Sequence, residues 1–141
     1  MAGASEDHEG RLPLGEPPTS SRLKFQRLDV YRAAVTFVVV CDGLQKKLPG
    51  GRGYVADQLR RAALSIVNNI AEGAGEFSPA DKARFYRMAL RSTTECAATI
   101  DVLSALDECD PDKAKDAAAL AVRLVVMLTR LISSVNRRRQ R

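Results

Sequence analysis

Arg61, Ser65, Asn68 and Glu72 stand four, three and four residues apart within the stretch LRRAALSIVNNIAEGAGEFS, residues 59–78. On a helix that spacing gathers a guanidinium, a hydroxyl, an amide and a carboxylate on one side. Such a set can hold a polar ligand, or it can simply face water. Asn69 is placed differently, beside Ala62 at the edge of the apolar stripe, where an amide needs partners. Glu95 occupies the corresponding edge of the next predicted helix, next to Met88. A contact of Asn69, or of an arginine from the same helix, with Glu95 would satisfy half-buried polar groups and fix the register of the two helices. A ligand or catalytic site is the other reading of the same residues.

Enzymatic chemistry finds few suitable groups. The only histidine, His8, lies in the first 21 residues, outside any predicted helix. A bundle that holds two metal ions supplies Glu-x-x-His from facing helices, so a di-iron centre is excluded and no metal or other cofactor is expected. A cysteine nucleophile needs a base, yet Cys41 and Cys96 fall on predicted core faces with no histidine near in sequence. Together with Cys109 they make an odd number in no metal-binding spacing, which fits a reducing compartment. The GGRG and GAG segments follow no strand and lack the Lys-Ser/Thr of a phosphate-binding loop, so they read as turns. The expectation is a protein without catalytic activity.

The elements that carry these residues are helices. The chain of 141 residues is one domain's worth, with 45% hydrophobic and 5% aromatic residues and no Trp. Residues 1–21 combine Gly, Pro, Ser and acids and are expected to be a disordered leader. A first helix is predicted from a cap at Asp29, burying Val30, Ala34, Phe37, Cys41, Leu44 and Leu48, with Lys46 and Lys47 at its end. Its VTFVVV run has strand-like residues, but no second such run exists to pair with it. After PGGRG, a second helix from Tyr54 to Ala71 or Glu72 buries Val55, Leu59, Ala63, Ile66 and Ile70, and Gly73 and Gly75 stop it. Ser78 and Pro79 open a third, with Phe85, Ala89, Ser92, Cys96, Thr99, Leu103 and Leu106 as its buried face. Asp110 and Pro111 open a fourth, running to about Arg137, with Ala117, Leu120, Leu124, Leu128, Leu131 and Val135 inside. Four amphipathic helices with short breaks imply an antiparallel up-and-down bundle over 22–137, followed by a basic tail, 138–141.

Charge and leftover apolar residues suggest partners. The leader carries −3 against +5 for the whole chain, which leaves +8 on the remainder. That excess suits a polyanion, or serves solubility alone. Arg123, Arg130 and Arg137 recur every seven residues and form one column, which Arg138, Arg139 and Arg141 extend. Forked donors along an edge match the regular phosphates of a nucleic acid, and the plainer reading is a solvated face with a basic end. Val35, Val39, Leu64, Leu90, Val122 and Val126 lie off the core stripes, which points to burial between subunits. No signal-peptide pattern opens the chain and no apolar run is read as reaching the roughly 18 residues of a membrane span. A cytoplasmic protein with no membrane partner is expected.

The stretch QLRRAALSIVNNIAEGAGEFSPADKARFYRMALRSTTE, residues 58–95, resembles the four-helix-bundle family named for the protein encoded in bacterial 23S ribosomal RNA intervening sequences. The resemblance rests on Arg60, Arg61, Ala62, Ala63, Ser65, Ile66, Asn69, Ile70, Ala71, Glu72 and Gly73, then Ala89, Ser92 and Glu95. LDVYRAA and LTRLI extend it to roughly residues 25–135. Two positions depart: Arg91 stands where members commonly have Gly, and Glu76 where a basic residue usually follows the second glycine. The resemblance implies an up-and-down bundle that often assembles as a ring-like homopentamer, with no known catalytic activity. The chain is also similar to accessory proteins of diversity-generating retroelements, which bind a reverse transcriptase and its RNA. Structured RNA or such an RNA-handling protein is therefore an expected partner, and a protein-interaction scaffold with no nucleic-acid role is the alternative. On this resemblance Arg60, Arg61, Asn69, Glu72, Ser92 and Glu95 form a structural signature.

Overall fold

A computed structural model describes residues 23–45 and 53–140. The expected leader with His8, the pair Lys46 and Lys47, Leu48, most of the PGGRG break and Arg141 lie outside the described residues. After a 3-10 turn at Lys24–Arg27, four helices follow: α1 (Asp29–Gln45), α2 (Gly53–Gly75), α3 (Pro79–Ala105) and α4 (Pro111–Arg139). Each packs against its neighbour in sequence, and α1 closes against α4. That order of contacts is an up-and-down four-helix bundle, as the apolar periodicity implied.

Local chemistry sets the boundaries. Asp29 is the first helical residue of α1, and its carboxylate takes the Arg32 guanidinium one turn on, at 2.7 Å. VTFVVV is helical because Phe37 and Cys41 of that face go into the core, which outweighs the strand preference of its valines. Ser78 caps α3, its hydroxyl accepting from the Asp81 N–H at 3.3 Å. Asp110 caps α4, accepting from Asp112 and Lys113 N–H groups at 2.8 and 3.3 Å. The end of α3 is closed by Asp107 at φ 54°, with Asp107 N–H on Ser104 O at 3.1 Å and Glu108 N–H on Leu103 O at 3.0 Å. This paired closure turns the chain without a glycine.

The core is built from the stripes of α1 and α2 as expected, with Val30, Ala34, Phe37, Cys41, Leu44, Val55, Leu59, Ala63, Ile66 and Ile70 all buried. Three expectations need correction. Gly73 does not stop α2: it is buried inside the helix, where a Cβ would come within 2.7 Å of the Tyr86 ring, so the glycine permits a close crossing with α3. The buried face of α3 is turned by about one residue, with Tyr86, Thr93 and Ile100 inside and Phe85, Ser92 and Thr99 half-buried. Thr93 can be fully enclosed because its hydroxyl donates to the Ala89 carbonyl at 2.8 Å. On α4, Leu120 and Leu131 are half-buried while Ala114 and Ala121 are inside.

Beyond these three, α4 departs from the expectation that no stretch is long and apolar enough to span a membrane. By length and composition it is apolar enough to cross a membrane, and only 22% of its most apolar stretch is buried within the chain. Leu124 and Leu128 are fully enclosed in the bundle, as a core helix requires. Its opposite side leaves Val122 and Val126 at 63% and 41% exposure. Val39 and Leu64 are exposed as expected, whereas Leu90 packs against the core and Val35 is half-buried.

Candidate functional site

The polar residues of α2 and α3 meet along one seam. Ser92 donates to the Ser65 hydroxyl at 3.0 Å, and Asn69 donates its amide N–H groups to the Ser65 carbonyl at 2.9 Å and hydroxyl at 3.0 Å. The Gln58 amide donates to the Glu95 carboxylate. The expected contact of Asn69 or an arginine with Glu95 is not among these bonds. The helices run antiparallel, so Asn69 and Glu95 lie on opposite sides of the Ser65–Ser92 contact. Arg60 instead pairs with Asp57 at 3.3 Å, within its own helix. Asn69 is buried, while Arg60, Arg61, Asn68, Glu72 and Glu95 are exposed. A shallow groove of about 370 Å³ runs along the seam, lined by Ser65, Asn69, Met88, Arg91, Ser92 and Glu95. The bonds that join α2 to α3 here are Ser92 to Ser65 and Gln58 to Glu95, not the expected Asn69 or arginine contact with Glu95.

Cysteine offers no nucleophile in the core. Burial pushes the Cys41 thiol from 9.0 up to about 12, with the neighbouring Cys96 adding to it. Burial likewise pushes Cys96 up to about 12, with Glu95 adding. Both are neutral near pH 7, and the thiolate is the reactive form. We therefore expect one fast-reacting thiol, the half-buried Cys109, when the native protein meets a thiol reagent at pH 8, and three after denaturation. Among the described residues no group of three or more His, Cys, Asp or Glu side chains is placed to hold a metal ion.

Several cations gather at one end of the bundle. There the C-terminus of α2, the start of α3, the end of α4 and the 3-10 turn come together. Lys82 points its ammonium at the last carbonyls of α2, 3.3 Å from Gly73 O and 3.0 Å from Ala74 O, where the helix dipole favours a cation. Its pKa is lowered by partial burial first, then by the positive charges of Lys24 and Arg138, with Glu76 pulling the other way. Arg138 also acts on the Tyr86 hydroxyl, which burial otherwise raises. Below this end, Val135, Tyr86 and Ala83 form a small second core that fixes α4 against α3.

The column of arginines on α4 is present, with Arg123, Arg130 and Arg137 all exposed. Arg123 lines a groove of about 450 Å³ shared with Asp29, Arg32 and Thr36 of α1. α4 continues past Arg137, so Arg138 and Arg139 stand on the helix rather than in a loose tail. Lys24 and Lys82 were not singled out in the sequence. The available signal was topological, because an antiparallel bundle must bring the start of α3 beside the end of α4.

A sequence profile of the 23S rRNA-intervening sequence protein family matches residues 26–130. Comparison with curated proteins finds no match. Among solved structures, the chain is similar to a protein with unknown function from the S23 ribosomal protein family of Bacteroides thetaiotaomicron VPI-5482. The TM-score is 0.67 at 21% identity, covering 73% of this chain and 97% of that one. At this identity the likeness concerns the fold.

Proposed function

The chain belongs to the 23S rRNA-intervening sequence protein family, and we propose that it is a non-enzymatic, oligomeric, cytoplasmic protein that binds structured RNA, or an RNA-handling protein such as a reverse transcriptase, through a basic surface. The observation that carries this reading is the gathering of Lys24, Lys82 and Arg138 at one end of the bundle, continuous with Arg137 and Arg139 on the last turn of α4. Glu76 offsets part of the repulsion among these cations, and phosphates would offset more of it with release of counterions.

Charge reversal at the two ends of the bundle tests it. Lys24→Glu with Arg138→Glu is expected to weaken binding of a structured RNA at least about tenfold in a mobility-shift assay. Lys113→Glu with Lys115→Glu, both exposed at the opposite end, is expected to change it much less. Equal loss at both ends would mean diffuse attraction without a site.

Self-association rests on a separate observation. The outer face of α4 leaves Val122 and Val126 exposed, and a groove of about 350 Å³ between α1 and α2 leaves Val39 and Leu64 exposed. Two different apolar patches suit a head-to-tail contact, which closes into a ring, the homopentamer that the family resemblance implies. Val122→Asp with Val126→Asp is expected to reduce the mass by light scattering to that of a single 15.4 kDa chain. The scaffold alternative shares this apolar surface and differs in needing no RNA.

A further inference from the structure

Phe77 is 99% exposed, the most exposed large apolar side chain among the described residues. Its position is set from both sides by backbone bonds. Glu76 N–H closes the end of α2 on Gly73 O at 3.2 Å, and Ser78 opens α3 by accepting from Lys82 N–H at 2.9 Å and Asp81 N–H at 3.3 Å. The phenyl ring thus stands out from a three-residue corner with no core to enter. One exposed apolar side chain is ordinary on a protein surface; what sets this ring apart is its place at the corner where the cations gather.

The surroundings of the ring narrow the partner's chemistry. Lys82 bonds the carbonyls of Gly73 and Ala74, four and three residues before Phe77, and so lies at the same corner. Lys24 and Arg138 act on that ammonium from the entering turn and from α4, with Glu76 opposing them more weakly. An apolar protein surface would have to strip water from these cations on docking. A single-stranded nucleic acid offers the complementary pair, a flat base face for the ring and a phosphate for the cations.

We propose that Phe77 is a stacking platform for one unpaired nucleobase of a bound RNA, with Lys82, Lys24 and Arg138 holding the adjoining phosphates. This rests on the RNA reading above and adds a preference for loops, bulges or ends over paired stretches. In a duplex both faces of each internal base are covered by its neighbours, so the ring has nothing to stack on.

The test uses two RNAs with equal numbers of phosphates, an unpaired strand and a blunt duplex of two shorter strands, and measures their affinities by fluorescence anisotropy at one salt concentration. The intact protein is expected to favour the unpaired strand, and Phe77→Ala to reduce that ratio about tenfold, the worth of roughly 1.4 kcal/mol of stacking. Because the chain contains no Trp, Phe77→Trp supplies a single reporter whose emission the unpaired strand should quench and the blunt duplex should not. An unchanged ratio in Phe77→Ala overturns the proposal and leaves RNA binding in place. A fall in assembly mass with Phe77→Ala, the affinity ratio staying constant, overturns it in favour of a contact between copies. Failure of the intact protein to bind either RNA at low salt removes the RNA reading and this inference together.

Discussion

Gly73→Val is expected to lower the free energy of unfolding by about 3 kcal/mol, whereas Gly43→Ala should raise it by about 0.5–1 kcal/mol. Both glycines are helical, so intrinsic propensity favours replacing either one. What separates them is the neighbour. A Cβ at Gly73 would stand 2.7 and 2.9 Å from two carbons of the Tyr86 ring and 3.1 Å from the Phe85 Cβ, while nothing lies within 4 Å at Gly43. Tyr86 is 3% exposed and packs with Ala83 and Val135, so its ring has no free direction in which to retreat. The added methyls would force α2 from α3 at the end that carries the cations. Urea unfolding followed by far-ultraviolet circular dichroism measures both variants. A neutral Gly73→Val would show that the crossing is looser than described.

Alkaline pH should destabilise the fold by a similar amount. Cys41 and Cys96 are pushed from 9.0 up to about 12 by burial, so the folded chain keeps protons that the unfolded chain releases above pH 9. More protons bound in the folded state means that stability falls as pH rises. The contribution is complete below pH 9 and is lost progressively from there toward pH 12. Each thiol is worth about 1.4 kcal/mol per pH unit within that window, so the pair should remove about 3 kcal/mol by pH 10. Unfolding free energies at pH 8 and pH 10 test this, and Cys41→Val should remove about half of the difference. Equal stability at the two values would mean that water reaches both thiols.

Much of this architecture was legible in the sequence because apolar residues at helical spacing and paired Ser-Pro and Asp-Pro starts report local physics. The stripes of α1 and α2 and the caps at Ser78 and Asp110 are of that kind. The face of α3 was read one residue out because Ser92 and Thr99 are small and Thr93 can satisfy its own hydroxyl on Ala89 O. Polarity alone does not separate such neighbours. Gly73 was read as a stop because a glycine that permits close packing looks the same in sequence as one that ends a helix. The register that joins Gln58 to Glu95 and Ser65 to Ser92 depends on where α2 and α3 cross, a tertiary property. The same holds for the cation cluster, whose members are distant in sequence and meet only when the bundle closes.

The central claim is that an RNA is held by phosphate contacts at the arginine-bearing end of α4. The most direct measurement is the affinity of a structured RNA across a salt series, for the intact chain and for one with Arg137, Arg138, Arg139 and Arg141 changed to Gln. Phosphate contacts predict a steep linear fall of log affinity with log salt, and a slope shallower by about three in the altered chain. No binding at the lowest salt, or the same slope in both proteins, would contradict it.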